Sequence, residues 1–216
     1  MSDSPPAPTE QPLIGVLALQ GDFEAHTNVL RRFGAQVREV RVVADLNGID
    51  GLVIPGGEST TMTLGIAREG LAEPIATLVS DGLPVLGSCA GLIMLDRAHL
   101  GVMDIVAERN AFGRQIKSFE SDLEIAGLPG GQLRGLFIRA PWIAEHGPGV
   151  EILADVEGHA VAAREGRVLA VAFHSELGDD DRLHAMLLGW ARDYAEEAVR
   201  GAASLGGAVR SSAIQP

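Results

Sequence analysis

Cysteine occurs once in the 216 residues, at Cys89, so an internal disulfide is excluded and a reducing compartment is the natural reading. Aromatic residues make up only 4%, so a core must be mostly aliphatic. Basic residues are outnumbered, 17 Lys and Arg against 29 Asp and Glu, and the formal net charge of −12 argues against a nucleic-acid backbone or an anionic membrane as partner. No apolar run is long enough for a transmembrane helix. The segment Met1–Pro6 lacks the basic and apolar regions of a signal peptide, and the expectation is a cytoplasmic protein. What is present is a globular composition, 46% hydrophobic and 21% charged, long enough for one α/β domain with a real core.

The ordered part of the chain is expected at 13–200, between a polar, Pro-rich tail at 1–12 and a Gly/Ala/Ser-rich tail at 201–216. Leu13–Leu19 is a continuous apolar run, suited to a central parallel strand buried on both faces. Gln20-Gly21-Asp22 breaks it, and Asp22 is placed to cap a helix in which Phe23, His26, Val29, Leu30 and Phe33 recur at helical spacing before Gly34. Strands are predicted at Val37–Val43 and Gly51–Ile54, and a helix near Met62–Arg68, with Ser59 or Thr60 as N-cap. Glu73–Ser80 reads as a further helix. Beyond it, strands are predicted at Met103–Glu108, Leu123–Ala126, Leu136–Arg139, Val150–Val156, His159–Ala163 and Val168–Phe173. Asp179, Asp180 or Asp181 caps a last helix with the stripe Leu183, Met186, Leu187, Trp190, running to about Val199. Strands alternating with helices point to a largely parallel sheet with crossover connections.

Three stretches carry chemistry. Pro84–Leu92 is a short apolar strand ending in Gly87-Ser88-Cys89-Ala90-Gly91 and passing at once into a helix of about Ala90–Leu95, the pattern that lifts a nucleophile above a sheet. A buried thiol acting as a small hydrophobe fits the same five residues. Pro55-Gly56-Gly57-Glu58-Ser59-Thr60-Thr61 is a second Gly-rich turn after a strand, and ligands of open parallel sheets bind beyond the carboxyl ends of the strands. His174, at a strand end with Glu176 two residues on, is the best base for a thiol: the carboxylate would hold one imidazole nitrogen and leave the other for the sulfur. The other five histidines lack that context; His26 and His184 sit on helices, where packing or exposure is the default.

Taken together, Leu17–Gly21, Pro55–Met62, Gly87–Gly91, His99–Gly101, Glu108–Gln115, Ser118–Glu120, Phe137–Pro141 and His174-x-Glu176 resemble the triad (class I) glutamine amidotransferases, and within them the glutaminase subunits of pyridoxal 5′-phosphate synthase, over roughly Leu13 to Ala198. The resemblance implies an α/β, single-domain, three-layer amidotransferase fold with a mostly parallel sheet and helices on both faces. It implies hydrolysis of L-glutamine to glutamate and ammonia, with Cys89 as nucleophile, His174 as general acid and base, and Glu176 orienting it. Backbone N–H groups of Gly57 and Ala90 would form the oxyanion hole, and Gly57, Glu58, Ser59, Arg109, Ile138 and Arg139 match glutamine-contacting positions. By residue type alone Glu58 reads instead as an acid complementing a helix dipole, and Arg109 and Arg139 as surface charge. The resemblance further implies no cofactor and no metal here, and a (β/α)₈-barrel synthase as partner, which takes the ammonia. The loop and helix from Gln20 to Phe33 are suggested as part of that contact.

The chain departs from the family pattern twice. Ser175 stands where the family usually has proline, and Leu95-Asp96-Arg97-Ala98 is shorter than usual, so the elbow helix or its exit must be trimmed. Those departures support the competing reading of a non-catalytic regulatory subunit. An amidotransferase subunit of another synthase, or a chaperone- or protease-like Cys-elbow protein, is the third.

Overall fold

The computed structural model describes residues 11–109 and 118–210. Five strands run parallel, in the order β2 (Gln36–Val40), β1 (Leu13–Leu17), β3 (Gly51–Ile54), β4 (Val85–Ser88) and β11 (Val168–Val171). The sheet continues antiparallel through β10 (His159–Glu165), β8 (Trp142–His146) and β5 (Ile105–Glu108), with β9 (Glu151–Val156) also paired to β10. A separate hairpin, β6 (Ser118–Leu123) and β7 (Leu133–Ile138), is tied back by a bridge between Leu136 and His174. Every residue of β3, β4 and β11 is buried, as their unbroken apolar sequences require of strands covered on both faces.

The covering helices are α1 (Phe23–Arg32), α2 (Ser59–Arg68), α3 (Ala72–Ser80), α4 (Ala90–Leu95) and α5 (Arg182–Arg210). Helix α1 packs on β1 and β2, α4 on β3 and β4, and α5 on β3 and β4. Among the described residues no helix is long and apolar enough to cross a membrane. The result is the expected single α/β domain with a mainly parallel sheet flanked by helices.

Several boundaries differ from the sequence reading, each for a local reason. Strand β2 stops at Val40 because the Asp45 carboxylate accepts from the N–H groups of Arg41 and Val42 and closes a 3₁₀ turn at Val43–Leu46, leaving Val42 and Val43 exposed. Helix α2 starts at Ser59, and its N-cap is Glu58, neither Ser59 nor Thr60. The strand expected at Leu123–Ala126 lies earlier, at β6, and Ile125 is buried in the turn that follows. Strand β7 ends at Ile138 because Arg139 turns to φ 45°. Strand β8 carries no alternating pattern to mark it: Pro141 precedes it and Ile143 is its one buried residue. Helix α5 runs to Arg210, past the expected end near Val199 and through much of the presumed tail. The expected tail residues 1–10 and 211–216, and the 110–117 part of the Glu108–Gln115 motif, lie outside the described residues.

Candidate active site

Because β1, β3, β4 and β11 are parallel, the segments leaving them emerge at one edge: Gln20–Asp22, Pro55–Glu58, Cys89 and His174. Around them is a cavity of about 260 Å³, lined by Asp22, Gly57, Glu58, Ser59, Cys89, Ala90, Ile93, Arg109, Ile138, Arg139, Pro141 and His174. The hairpin supplies the far wall. Phe119 stacks on Phe137 at 4.6 Å between ring centres and Phe137 packs on Phe173, which fixes Ile138 and Arg139 opposite the elbow.

Cys89 sits between β4 and α4 at φ 49°, ψ −105°, a conformation that costs a non-glycine residue of order 1–3 kcal/mol. The surroundings hold it there. Its N–H donates to the Val171 carbonyl at 2.8 Å, α4 begins at the next residue, and its sulfur lies 3.9 Å from the Ile138 carbonyl oxygen. His174 Nδ1 donates to Glu176 Oε1 at 2.7 Å, leaving the other ring nitrogen for Cys89, which lines the same cavity. Burial alone would lower the His174 pKa, but the hydrogen bonds and charges of Cys89 and Glu176 outweigh it and push it up to about 10. Gly56 makes this meeting feasible: a Cβ there would lie 2.5 Å from His174 Cε1 and 3.4 Å from Cys89 Cβ.

The glycine-rich loop is held by Gln20, a residue the sequence placed only in the suggested partner contact. Gln20 accepts from the Glu58 N–H at 3.0 Å and donates to the Glu58 carbonyl at 3.1 Å, clamping the peptide that follows Gly57. Glu58 itself faces its own helix, accepting from Thr60 N–H, Thr61 N–H and the Thr61 hydroxyl. Those bonds, the Thr61 N–H first, lower its pKa to about 2. The capping role weighed for Glu58 is therefore present, and the residue lines the cavity as well. Arg109 donates to Ser59 Oγ at 3.1 Å and Thr60 Oγ1 at 3.4 Å. Arg139 faces the cavity from the hairpin, so the site carries two guanidiniums along with the carboxylates of Glu58 and Asp22.

The positions named from the sequence thus meet at one edge, and all of them line the cavity except Glu176, which is buried behind His174. The additions are Gln20, Asp22 (Oδ2 3.6 Å from His174 Nδ1), Ile93 and Pro141. Asp22, His174 and Glu176 also offer three potential metal-ligand atoms within 4.8 Å of one another, but His174 Nδ1 is already committed to Glu176.

The SNO glutamine amidotransferase family model matches residues 16–189. Curated relatives named pyridoxal 5′-phosphate synthase subunit PdxT include that of Acidothermus cellulolyticus, 49% identical over 84% of this chain and 94% of the relative, and that of Nocardia farcinica, 43% identical over 98% and 96%. A crystal structure of a glutamine amidotransferase, 45% identical, superposes with a TM-score of 0.78 over 82% of this chain and 98% of its own. A putative GMP synthase component from Thermoplasma acidophilum, 18% identical with a TM-score of 0.67 over 88% of this chain and 98% of its own, shares the fold. With the elbow, the base and the matched span in agreement, the chain belongs to the SNO glutamine amidotransferase family.

Proposed function

We propose that this chain is the glutaminase subunit of a pyridoxal 5′-phosphate synthase. It hydrolyses L-glutamine to L-glutamate and ammonia and delivers the ammonia to a synthase partner of (β/α)₈-barrel fold. The carrying observation is the elbow cysteine sharing one cavity with an imidazole whose Nδ1–H is held at 2.7 Å by a buried carboxylate. The cavity suits an amino-acid zwitterion: Arg109 and Arg139 offer charge for the α-carboxylate, Glu58 and Asp22 for the α-ammonium.

In the reaction, the Cys89 sulfur attacks the side-chain amide carbon, forming the C–S bond and placing negative charge on the amide oxygen. The N–H groups of Gly57 and Ala90 receive that charge; Ala90 opens α4, where helix N–H groups lack internal partners. His174 gives its proton to the departing nitrogen, the C–N bond breaks and ammonia leaves. The neutral imidazole then takes a proton from water as the oxygen attacks the thioester, the C–S bond breaks, and glutamate departs with the thiol restored. Glu176 keeps the imidazole in one orientation through both steps.

Glutamate release from L-glutamine, with and without the synthase partner, tests the reading. Turnover is expected to rise with the partner and to vanish in Cys89→Ala, while the complex still assembles. An intact complex that releases no glutamate would refute it. Within Gln20 to Phe33, Asp22 lines the cavity, and charge reversals in this segment are expected to weaken partner binding in a pull-down titration.

A further inference from the structure

Behind the triad lies a buried polar chain that the mechanism above does not use. We infer that His26, steadied by His184, is a positioning residue: it supplies the donor for the second oxygen of Glu176 and thereby sets the angle at which Glu176 holds His174. The inference rests on the triad reading given above.

Glu176 has a fully buried side chain. One oxygen accepts from His174; the other, Oε2, has no well-aligned hydrogen bond among the described residues. A buried carboxylate oxygen needs a donor, and His26 Nε2 stands 3.3 Å from it. The same nitrogen is 2.9 Å from the hydroxyl of Ser88, the residue before the nucleophile. His26 Nδ1 lies 2.8 Å from His184 Nε2. One imidazole thus joins α1, the end of β4, the turn after β11 and helix α5, with both histidines 0% exposed.

The proton positions follow from what each alternative would strand. Burial keeps both rings neutral, lowering His26 well below its ordinary pKa, with the neighbouring His184 and His174 charges adding to the effect, and His184 to about 4. Were His26 Nδ1 the donor to His184, the His26 Nε2 lone pair would face the Glu176 carboxylate. His184 Nδ1, buried and unpartnered among the described residues, would then carry a stranded N–H. With His184 Nε2–H as donor, His26 Nε2–H points at Ser88 Oγ and Glu176 Oε2, and only a lone pair is left over. The second arrangement gives the carboxylate its donor and strands no N–H, so it is the one the site holds.

The test uses the complex with its synthase partner, supplied with L-glutamine, reading kcat, KM and the pH dependence of Cys89 alkylation by iodoacetamide. His26→Leu removes the donor; His26→Gln places an amide N–H near the position of ring Nε2. In His26→Leu, kcat is expected to fall by about tenfold or more, by analogy with the loss of an outer partner that orients a metal-bound histidine. KM should stay within about twofold and alkylation at neutral pH should slow, while His26→Gln recovers most of the rate. Native kcat and alkylation in folded His26→Leu would overturn the inference, as would His26→Gln no better than His26→Leu. Should His26→Leu fail to fold, His26→Gln is set against His184→Leu. A near-native Gln variant beside a kcat-impaired His184→Leu supports the inference; native rates in both overturn it. Turnover surviving in Cys89→Ala would instead overturn the triad reading itself.

Discussion

Asp96 holds the chain that leaves the elbow helix behind Cys89, and it offers a sharp perturbation. Helix α4 has only six residues, and Asp96 is its C-cap. The Asp96 side chain is 5% exposed and collects three donors: the Ala98 N–H at 2.9 Å, His99 Nδ1 at 2.7 Å and the Ala107 N–H at 3.3 Å. The loop so formed returns the Leu100 and Met103 N–H groups to the carbonyls of Met94 and Leu95, which a helix end would otherwise leave unpaired. Hydrogen bonds to a charged acceptor are worth about 1.5–3 kcal/mol, and Asp96→Ala strands two backbone donors at once, so a loss of about 3–4 kcal/mol is expected. Asp96→Asn keeps an acceptor for Ala98 and His99 but turns an amide NH₂ toward the Ala107 N–H, and should cost about 1–2 kcal/mol. His99→Ala, which removes one partly exposed partner, should cost under about 1 kcal/mol. Urea unfolding at pH 7 ranks the three, and kcat per folded molecule should follow the same order, because the loop holds the helix that begins beside Cys89. An Asp96→Ala midpoint equal to the native one would refute the reasoning.

Gly91 packs so closely on the end of β3 that a Cβ would run into the Ile54 carbonyl oxygen, so Gly91→Ala should cost about 2–3 kcal/mol and displace the nucleophile; native glutaminase activity with an unchanged melting temperature would contradict this. The Ser175 hydroxyl is buried without a partner among the described residues, so Ser175→Ala should raise stability by about 1 kcal/mol in urea titrations; a loss of stability would reveal an unseen hydrogen bond. His184 has a folded pKa of about 4, mainly from burial, against about 6.5 unfolded, so its contribution is present above pH 6.5 and is lost as pH falls through 4. Between those limits the native protein should lose about 3 kcal/mol more than His184→Gln, and identical pH dependence in the two would count against a neutral buried His184.

Neighbouring residues encode part of this architecture directly. The apolar runs of β1, β3, β4 and β11 specified strands buried on both faces, and strands alternating with helices implied a parallel order. Gly87–Gly91 marked the elbow, and a spacing of two paired His174 with Glu176. Glu58, by contrast, could be read as ligand contact or helix acid, and only the placed Thr60 and Thr61 N–H groups revealed the cap. His26 and His184 looked like ordinary helix residues because they are 158 positions apart, and no local pattern records that their rings meet at 2.8 Å behind Glu176. Asp96 likewise gains its role from Ala107, eleven residues on, and Gln20 from a loop thirty-eight residues away. Periodicity and turn chemistry act over a few residues and leave a trace in the chain. Buried polar partners are chosen by the packing of distant elements, so what stands behind the triad emerges only when those elements come together.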